Sequence, residues 1–295
     1  MADEKKEHKA TLSLGKASDI EMSAMYLNIL VSGMSGAGKT YFATSSPGVA
    51  VALLEAQGFA TIREEHPDTL VPGPEGDDGV PCLRTMDQFR EFVLMAARGI
   101  LRDHGVHTLV IDSGTELQRM IMDEILAEKR KAKAKSAGSF TKQDWGTLAQ
   151  RQRAILRTLR DLPYNVVFIT LVDWTVDEET SQRRLTPLMK GGIQKELAGY
   201  FHASAYLYRR QTSRDSVKRY AMLDGDERYP CKPFGKLSGI LRPDLAAWLD
   251  VALGDGDPAS IQVEDALYPS DAPGARSSGG PRFGDGDDEN EDEDE

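Results

Sequence analysis

The chain has 295 residues, of which 40% are hydrophobic and 28% charged, and its formal net charge is −11. These proportions are typical of globular proteins and predict one packed core. No apolar run approaches the ~20 residues of a membrane span, and no apolar segment follows the charged start of the chain, so we expect a cytoplasmic protein. Cys82 and Cys231 lack metal-ligand spacing, which indicates neither a zinc site nor a disulfide.

The polar composition of both ends predicts three segments. We expect a flexible segment at 1–20, a core at 21–253, and a disordered Gly/Pro/Ser linker with an acidic tail at 254–295. Residues 284–295 carry nine acidic residues and no basic one. This polyanion is either a solubilising tail or a competitor of DNA for a basic surface of the same chain.

A glycine-rich loop follows the first apolar run of the core. Residues 26–32 predict a buried strand, and Lys39 and Thr40 open a helix that extends to about residue 46. The loop between them, residues 33–40, reads Gly-Met-Ser-Gly-Ala-Gly-Lys-Thr, the pattern that cradles phosphates on backbone N–H groups. We therefore expect ATP at Gly33, Met34, Ser35, Gly36, Ala37, Gly38, Lys39, Thr40 and Tyr41.

The chemistry of this pattern assigns two roles within the loop. The Lys39 ammonium would contact the β- and γ-phosphates, and the Thr40 hydroxyl would be a ligand of Mg²⁺.

The next elements supply two carboxylates. Residues 49–54 and 107–112 predict buried strands, so Glu55 and Asp112 lie where strands end, at the edge where open α/β sheets bind ligands. Asp112 is the expected second Mg²⁺ ligand, with capping of the following helix as the alternative. Glu55 is the expected group that orients or deprotonates the attacking water, and Glu116 is the alternative.

Further elements alternate in the same way. We expect an irregular stretch at 56–81, and helices at 85–101, 115–129 and 144–161, the last with Leu148, Ile155 and Leu159 inward. The remaining elements are a loop at 130–139, a strand at 165–170, a polar loop at 173–191, a short helix at 192–199, and an antiparallel pair at 202–209 and 217–223. Alternation of strand and helix predicts an α/β fold with a mainly parallel central sheet and helices on both faces. Thr170 ends its strand and is either a γ-phosphate sensor that acts in catalysis or an ordinary strand-end hydroxyl.

A basic stretch lies in the middle third of this core. Residues 129–160 hold ten basic residues, which face one acidic residue within the stretch, Asp144, and one directly after it, Asp161. Such a stretch is either a solvated helix face or a surface that neutralises nucleic-acid phosphates.

The order of these parts resembles the RecA-type ATPases, and among them the phage-encoded single-strand annealing recombinases that keep a RecA-like core. The motifs that carry the resemblance lie at 33–40, 53–57, 110–117, 143–146, 165–170 and 185–192. The resemblance covers about residues 24–245. It implies a ring or filament of subunits, with ATP between neighbours and single-stranded DNA held by two central loops, at about 130–143 and 173–191.

The resemblance also implies roles for basic residues. The DNA-binding candidates in the two loops are Lys131, Lys133, Lys135, Lys142, Arg183, Arg184 and Lys190. Candidates for a cation that reaches the nucleotide of a neighbouring subunit are Lys218, Arg219 and Lys232, although the RecA lysine pattern is not reproduced there.

The function that we expect is an ATP-dependent, DNA-stimulated recombinase that binds single-stranded DNA and anneals or pairs strands. Its partners would be DNA, further copies of the chain and a single-strand-binding protein, in the host cytoplasm if the chain is phage-encoded. The alternatives are a replicative-helicase-like motor, a DNA-processing nuclease and a nucleotide-switched interaction protein.

Overall fold

A computed structural model describes residues 16, 21, 22 and 25–269, except 75–78, 134–135, 137, 177–180, 214–215 and 264–265. The strands are β1 (Asn28–Gly33), β2 (Val49–Leu53), β3 (Thr108–Asp112), β4 (Asn165–Thr170), β5 (Val172–Val176), β6 (Arg183–Pro187), β7 (Ala203–Ser213), β8 (Ser216–Met222) and β9 (Ile240–Leu241). The α-helices are α1 (Lys39–Thr44), α2 (Gly58–Glu65), α3 (Met86–Ala97), α4 (Ile100–Asp103), α5 (Gly114–Lys131), α6 (Lys142–Asp161), α7 (Ile193–Glu196) and α8 (Leu245–Leu253), with short 3₁₀ turns at Leu197–Tyr200 and Pro258–Ser260.

The central sheet has seven strands in the order β2-β3-β4-β1-β7-β8-β9. The first five are parallel, and β8 runs antiparallel to both of its neighbours. Strands β5 and β6 form a separate antiparallel hairpin. The carboxyl ends of β1, β2, β3 and β4 therefore meet at one edge of the sheet, which is where loop-borne functional groups collect in open α/β folds.

Helices cover both faces of the sheet because side chains alternate along each buried strand. Leu30 packs with α3, α5 and α6 on one face. Ile29 and Val31, its neighbours, pack with α1 and α8 on the other. The predicted α/β fold, with a mainly parallel central sheet and helices on both faces, is confirmed.

Local signals explain several helix boundaries. The predicted capping box at the start of α3 is present, with Thr85 and Gln88 bonding each other's backbone N–H groups. Gly114 opens α5 against the sheet, since a Cβ there would lie 2.0 Å from Phe168 Cε1. This close approach sets the position of Asp112 and Ser113, which immediately precede the helix.

Two stretches that we expected to be irregular contain regular structure. Residues 56–81 include helix α2. Its hydrophobic periodicity is weak because Ile62 is its one buried residue, so the sequence pattern did not indicate a helix. The polar loop at 173–191 includes the β5–β6 hairpin, in which Val172 and Leu185 are buried. In α6, Leu148 and Leu159 are buried as predicted, whereas Leu156 is buried in place of the more exposed Ile155.

The packed core continues beyond the expected boundary at residue 253. Ile261 is completely buried, and Leu241 forms a β-bridge with Gln262. The Tyr208 hydroxyl donates a 2.8 Å hydrogen bond to the carbonyl of Leu267. The part of the predicted tail up to Pro269 is therefore attached to the sheet, while residues 1–15 and 270–295 lie outside the described residues.

None of the helices in the described part of the chain combines the length and the apolar character that a membrane span requires.

Candidate nucleotide-binding site

The glycine-rich loop joins β1 to α1 at the carboxyl edge of the sheet. Gly36 and Gly38 have φ angles of 75° and 95°, which side chains rarely tolerate, so the glycines allow the loop to curl ahead of the helix. The Lys39 ammonium is largely buried and donates hydrogen bonds to the carbonyl oxygens of Gly33 (2.9 Å) and Met34 (2.8 Å). Burial lowers the pKa of Lys39, and the carboxylates of Asp112 and Glu55 partly offset that shift.

Thr40 and Asp112 bring two oxygen ligands together. The Thr40 hydroxyl donates a 2.7 Å hydrogen bond to Asp112 Oδ2, although the residues are 72 positions apart. Burial raises the pKa of Asp112, while the Thr40 hydrogen bond and the Lys39 charge act in the opposite direction. A hydroxyl and a carboxylate on adjoining elements are the oxygen donors that Mg²⁺ takes beside a nucleotide, so these residues fit the expected ion.

Glu55 lies beside this pair because β2 and β3 are neighbours, with Leu53 opposite Asp112. Its Oε1 accepts a 2.7 Å hydrogen bond from the hydroxyl of Ser113. Ser113 also caps α5 by accepting from the backbone N–H of Glu116. Glu116 forms an ion pair of 2.8 Å with Arg119 and does not line the cavity that contains Asp112. Of the two candidate bases, Glu55 is therefore the one that lies beside Asp112.

These groups line a cavity of about 410 Å³. Its lining includes six of the nine expected nucleotide-binding residues, Ser35, Gly36, Gly38, Lys39, Thr40 and Tyr41, together with Glu55, Asp112 and Ser113. Gly33, Met34 and Ala37 are not part of its wall, although the carbonyls of Gly33 and Met34 hold Lys39. The cavity therefore joins the phosphate loop to both carboxylates that were predicted to act in ATP hydrolysis.

Thr170 is fully buried and does not line this cavity. Its hydroxyl forms a 2.9 Å hydrogen bond with that of Ser32, which immediately precedes the loop. The structure thus connects Thr170 to the loop through β1, and a direct contact with the γ-phosphate stays a prediction.

Acidic neighbours neutralise much of the basic stretch at 129–160. Ion pairs join Lys129 to Asp144, Arg151 to Glu124 and Glu128, Arg153 to Glu196, and Arg160 to Asp161. The sequence hides this because Glu124, Glu128 and Glu196 lie outside the stretch. The stretch as a whole is therefore not a bare cationic surface.

The DNA-binding candidates differ from these paired residues. Lys131, Lys133 and Lys142 are exposed around the first loop, and Arg183, Arg184 and Lys190 are exposed on or after the β5–β6 hairpin. None of the six forms an ion pair within the described ranges, and Lys135 lies outside them. The two regions meet where Trp145 approaches Gly191, whose Cβ would lie 3.7 Å from the indole ring.

The three candidates for a cation acting on a neighbouring subunit occupy different places. Arg219 lines the nucleotide cavity of its own chain. Lys218 is exposed on β8, opposite Arg210. Lys232 donates a 2.8 Å hydrogen bond to the carbonyl of Phe201 at the start of β7, the edge of the sheet opposite to the loop. A role across a subunit interface stays a prediction for all three.

Several residues around the site were not expected from the sequence. Ser113, Thr115 and Gln118 look like ordinary helix residues, and their partners become visible only when the strands are in register. Arg209 lies opposite Arg219 on the β7–β8 pair, so the predicted pairing of these strands was the signal that could have indicated it.

Comparison with known proteins identifies a family. Residues 25–233, more than two thirds of the chain, match a family described as AAA domain. No curated protein matches the chain. A KaiC-like protein from the hyperthermophilic archaeon Pyrococcus horikoshii OT3 is 15% identical to this chain and superposes with a TM-score of 0.33. The match covers 72% of this chain and 88% of that protein. With its phosphate loop, Asp112 and Glu55 on the matched segment, the chain belongs to the AAA domain family and is a P-loop ATPase.

Proposed function

We propose that this ATPase uses ATP to control its binding of single-stranded DNA, and that it anneals or pairs complementary strands. The observation that carries the proposal is a set of hydrogen bonds that ties both ends of the β5–β6 hairpin to helix α5. That helix begins at Gly114, two residues after Asp112.

The ties are formed by the first two turns of α5. The Thr115 hydroxyl accepts a 3.1 Å hydrogen bond from the backbone N–H of Leu171, one residue before β5. Gln118 bonds both backbone groups of Lys190, which follows β6: its amide N donates to the carbonyl at 2.9 Å, and its amide O accepts from the N–H at 2.6 Å. Since Ser113 at the start of the same helix bonds Glu55, a shift at the nucleotide would move the hairpin with it.

Strand β6 supplies two of the cations of the proposed contact, whereas the sequence of 172–187 is mixed and also includes Asp173, Asp177, Glu178 and Glu179. Arg183 and Arg184 are exposed, and Lys190 follows at its base. The guanidinium of Arg183 lies 5.9 Å from the ring centre of Trp174 on the facing strand. Exposed cations neutralise phosphates, and aromatic rings stack with unpaired bases, which favours single strands over duplexes. Trp174 is half-buried and the Arg228 guanidinium lies 5.0 Å from its ring centre, so the cations are the main part of the proposed contact.

The nucleotide site supplies the other half of this proposal. Lys39 would release the carbonyls of Gly33 and Met34 to bind the β- and γ-phosphates, and Thr40 and Asp112 would hold Mg²⁺. Bound there, Mg²⁺ would neutralise charge that develops on the phosphates. Glu55 would accept a proton from the attacking water, and its hydrogen bond from Ser113 fixes the carboxylate for that purpose.

The test compares ATP hydrolysis with and without single-stranded DNA at low salt, for the full chain and two variants. In the first variant, Arg183, Arg184 and Lys190 are replaced by Ala. In the control, Arg153→Ala and Arg160→Ala remove two cations that already pair with Glu196 and Asp161. We expect DNA to stimulate hydrolysis in the full chain and the control, and the first variant to lose most of the stimulation. Equal stimulation in both variants would contradict the proposed surface.

Reactions of the full chain and ATP with complementary strands or with a tailed duplex separate the alternative functions. Annealing of complementary strands without unwinding supports the recombinase. Unwinding of a tailed duplex would favour a motor, cleavage a nuclease, and no effect of DNA a nucleotide-switched interaction protein. Negative-stain imaging with single-stranded DNA and a nonhydrolysable ATP analogue tests the proposed ring or filament of subunits.

A further inference from the structure

Two arginines face each other beside the phosphate loop. Arg209 on β7 and Arg219 on β8 are directly paired in the antiparallel register. Strand β7 also lies next to β1, with Leu207 opposite Gly33, so Arg209 is two residues beyond the point where β1 enters the loop. The end of this β7–β8 pair therefore extends alongside the loop.

Each arginine approaches one of the loop glycines. A Cβ on Gly38 would lie 2.7 Å from Arg219 Cδ and 2.9 Å from its Nε, and a Cβ on Gly36 would lie 3.8 Å from an Arg209 guanidinium nitrogen. Arg219 lines the 410 Å³ cavity that contains Lys39 and Thr40. Arg209 lines an adjoining cavity of about 220 Å³ with Met34 and Ser35.

Among the described residues, no carboxylate pairs with either arginine. Like charges directly opposite on neighbouring strands repel. By contrast, Arg151, Arg153 and Arg160 all have carboxylate partners. Lys39 adds a third cation to the same region, which is the arrangement expected where a polyanion binds.

We propose that Arg209 and Arg219 bind the phosphates of the nucleotide held by the loop of their own chain. A guanidinium presents several N–H donors in a plane and can bond two phosphate oxygens at once. The pair would hold the phosphate chain from the β7–β8 side, opposite the side from which Glu55 and Asp112 act. This inference rests on nucleotide binding by the ATPase and is independent of the proposed DNA surface.

Nucleotide binding without DNA tests the proposal. We expect Arg219→Ala and Arg209→Ala each to weaken Mg-ATP binding by about 10- to 100-fold in a fluorescence titration, as for loss of a charge-assisted hydrogen bond. Arg153→Ala, at a partly exposed arginine paired with Glu196, is the matched control and should bind normally. Arg219→Lys should recover part of the affinity, which a purely structural role would not predict. Unchanged affinity in both Ala variants would overturn the proposal.

A mixing experiment distinguishes action on the same subunit from action on a neighbour. Subunits with Lys39→Ala keep Arg219 but lack a working loop, and subunits with Arg219→Ala keep the loop. If the arginine serves its own chain, mixtures hydrolyse no more ATP than the two variants measured separately. Restored hydrolysis in the mixture would place the acting arginine on the neighbouring subunit and overturn the assignment.

Discussion

The side chain of Gln118 pairs with the backbone N–H and C=O of Lys190, 72 residues further along the chain. Gln118 is buried on α5, whereas Lys190 follows the exposed β5–β6 hairpin. We expect Gln118→Leu to retain basal ATP hydrolysis and to lose most of the stimulation by single-stranded DNA, because the base of the hairpin is no longer held to α5. Steady-state hydrolysis with increasing DNA measures this.

Gln152 provides a matched control for that variant. It is a buried glutamine on the neighbouring helix α6, and its side chain has no hydrogen-bond partner in the described structure. Gln152→Leu should therefore leave the stimulation intact. If both variants respond to DNA like the unmodified chain, the link between α5 and the hairpin does not transmit the nucleotide state.

Replacing Lys39 by Ala should abolish nucleotide binding without unfolding the protein. The variant loses two hydrogen bonds to loop carbonyls, but it also removes a buried charge, so we expect the free energy of unfolding to change by about 1 kcal/mol or less. Fluorescence titration with Mg-ATP and thermal denaturation measure the two effects. Lys142→Ala, which removes an exposed cation far along the chain, should bind ATP normally; a large loss of thermal stability in the Lys39 variant would contradict the prediction.

Glu55→Gln should separate ATP binding from hydrolysis. A positioned general base contributes about 10²- to 10⁴-fold to a rate, so we expect the turnover number to fall by that factor while Mg-ATP affinity is retained. Single-turnover hydrolysis and a binding titration give the two values. Glu116→Gln is the control, because that carboxylate pairs with Arg119 outside the cavity, and an equal loss of turnover there would reassign the base.

We expect Asp144 to stabilise the folded state by an amount that depends on pH. Hydrogen bonds from Lys129 and from the backbone and side chain of Thr141 lower its pKa from 3.8 to about 2. A group whose pKa is lower in the folded state stabilises the fold above its unfolded pKa, and this stabilisation is lost as the pH falls. The contribution of Asp144 should therefore be complete above about pH 4 and disappear as the pH falls toward 2.

Acid unfolding followed by circular dichroism checks this expectation. Asp144→Asn should begin to unfold at a higher pH than the unmodified chain, with the difference in stability shrinking toward pH 2. Asp68→Asn, at an exposed carboxylate, should follow the unmodified curve. Identical curves for the Asp144 variant would mean that the start of α6 does not depend on this carboxylate.

The sequence could predict the parts of the fold that depend on local patterns. The buried strands were visible as short apolar runs, and Thr85 and Gln88 marked the start of α3. The hairpin at 172–187 was missed because each strand has a single buried residue, Val172 or Leu185, and the hydrophobic signal was correspondingly weak. Ile261 was missed because one apolar residue among polar neighbours does not reveal a contact with a distant sheet.

The same distinction applies to the site. The spacing from Gly33 to Thr40 indicates a phosphate-binding loop. Glu55 and Asp112 could be found because the topology of a parallel sheet brings the residues at its strand ends together. The roles of Gln118 and Arg209 depend on which strands are neighbours and in what register. Composition and spacing contain no such information, and the charge of the 129–160 stretch was overestimated for the same reason.

The position of Pro269 determines where reporter groups can be attached. Pro269 lines the small cavity that contains Ser35 and Arg209, so this residue lies beside the phosphate loop. Tyr26 instead precedes β1 at the opposite edge of the sheet, where it contacts Arg102. A fluorophore attached at position 269 should consequently respond to nucleotide, while one at position 26 would serve as an insensitive reference.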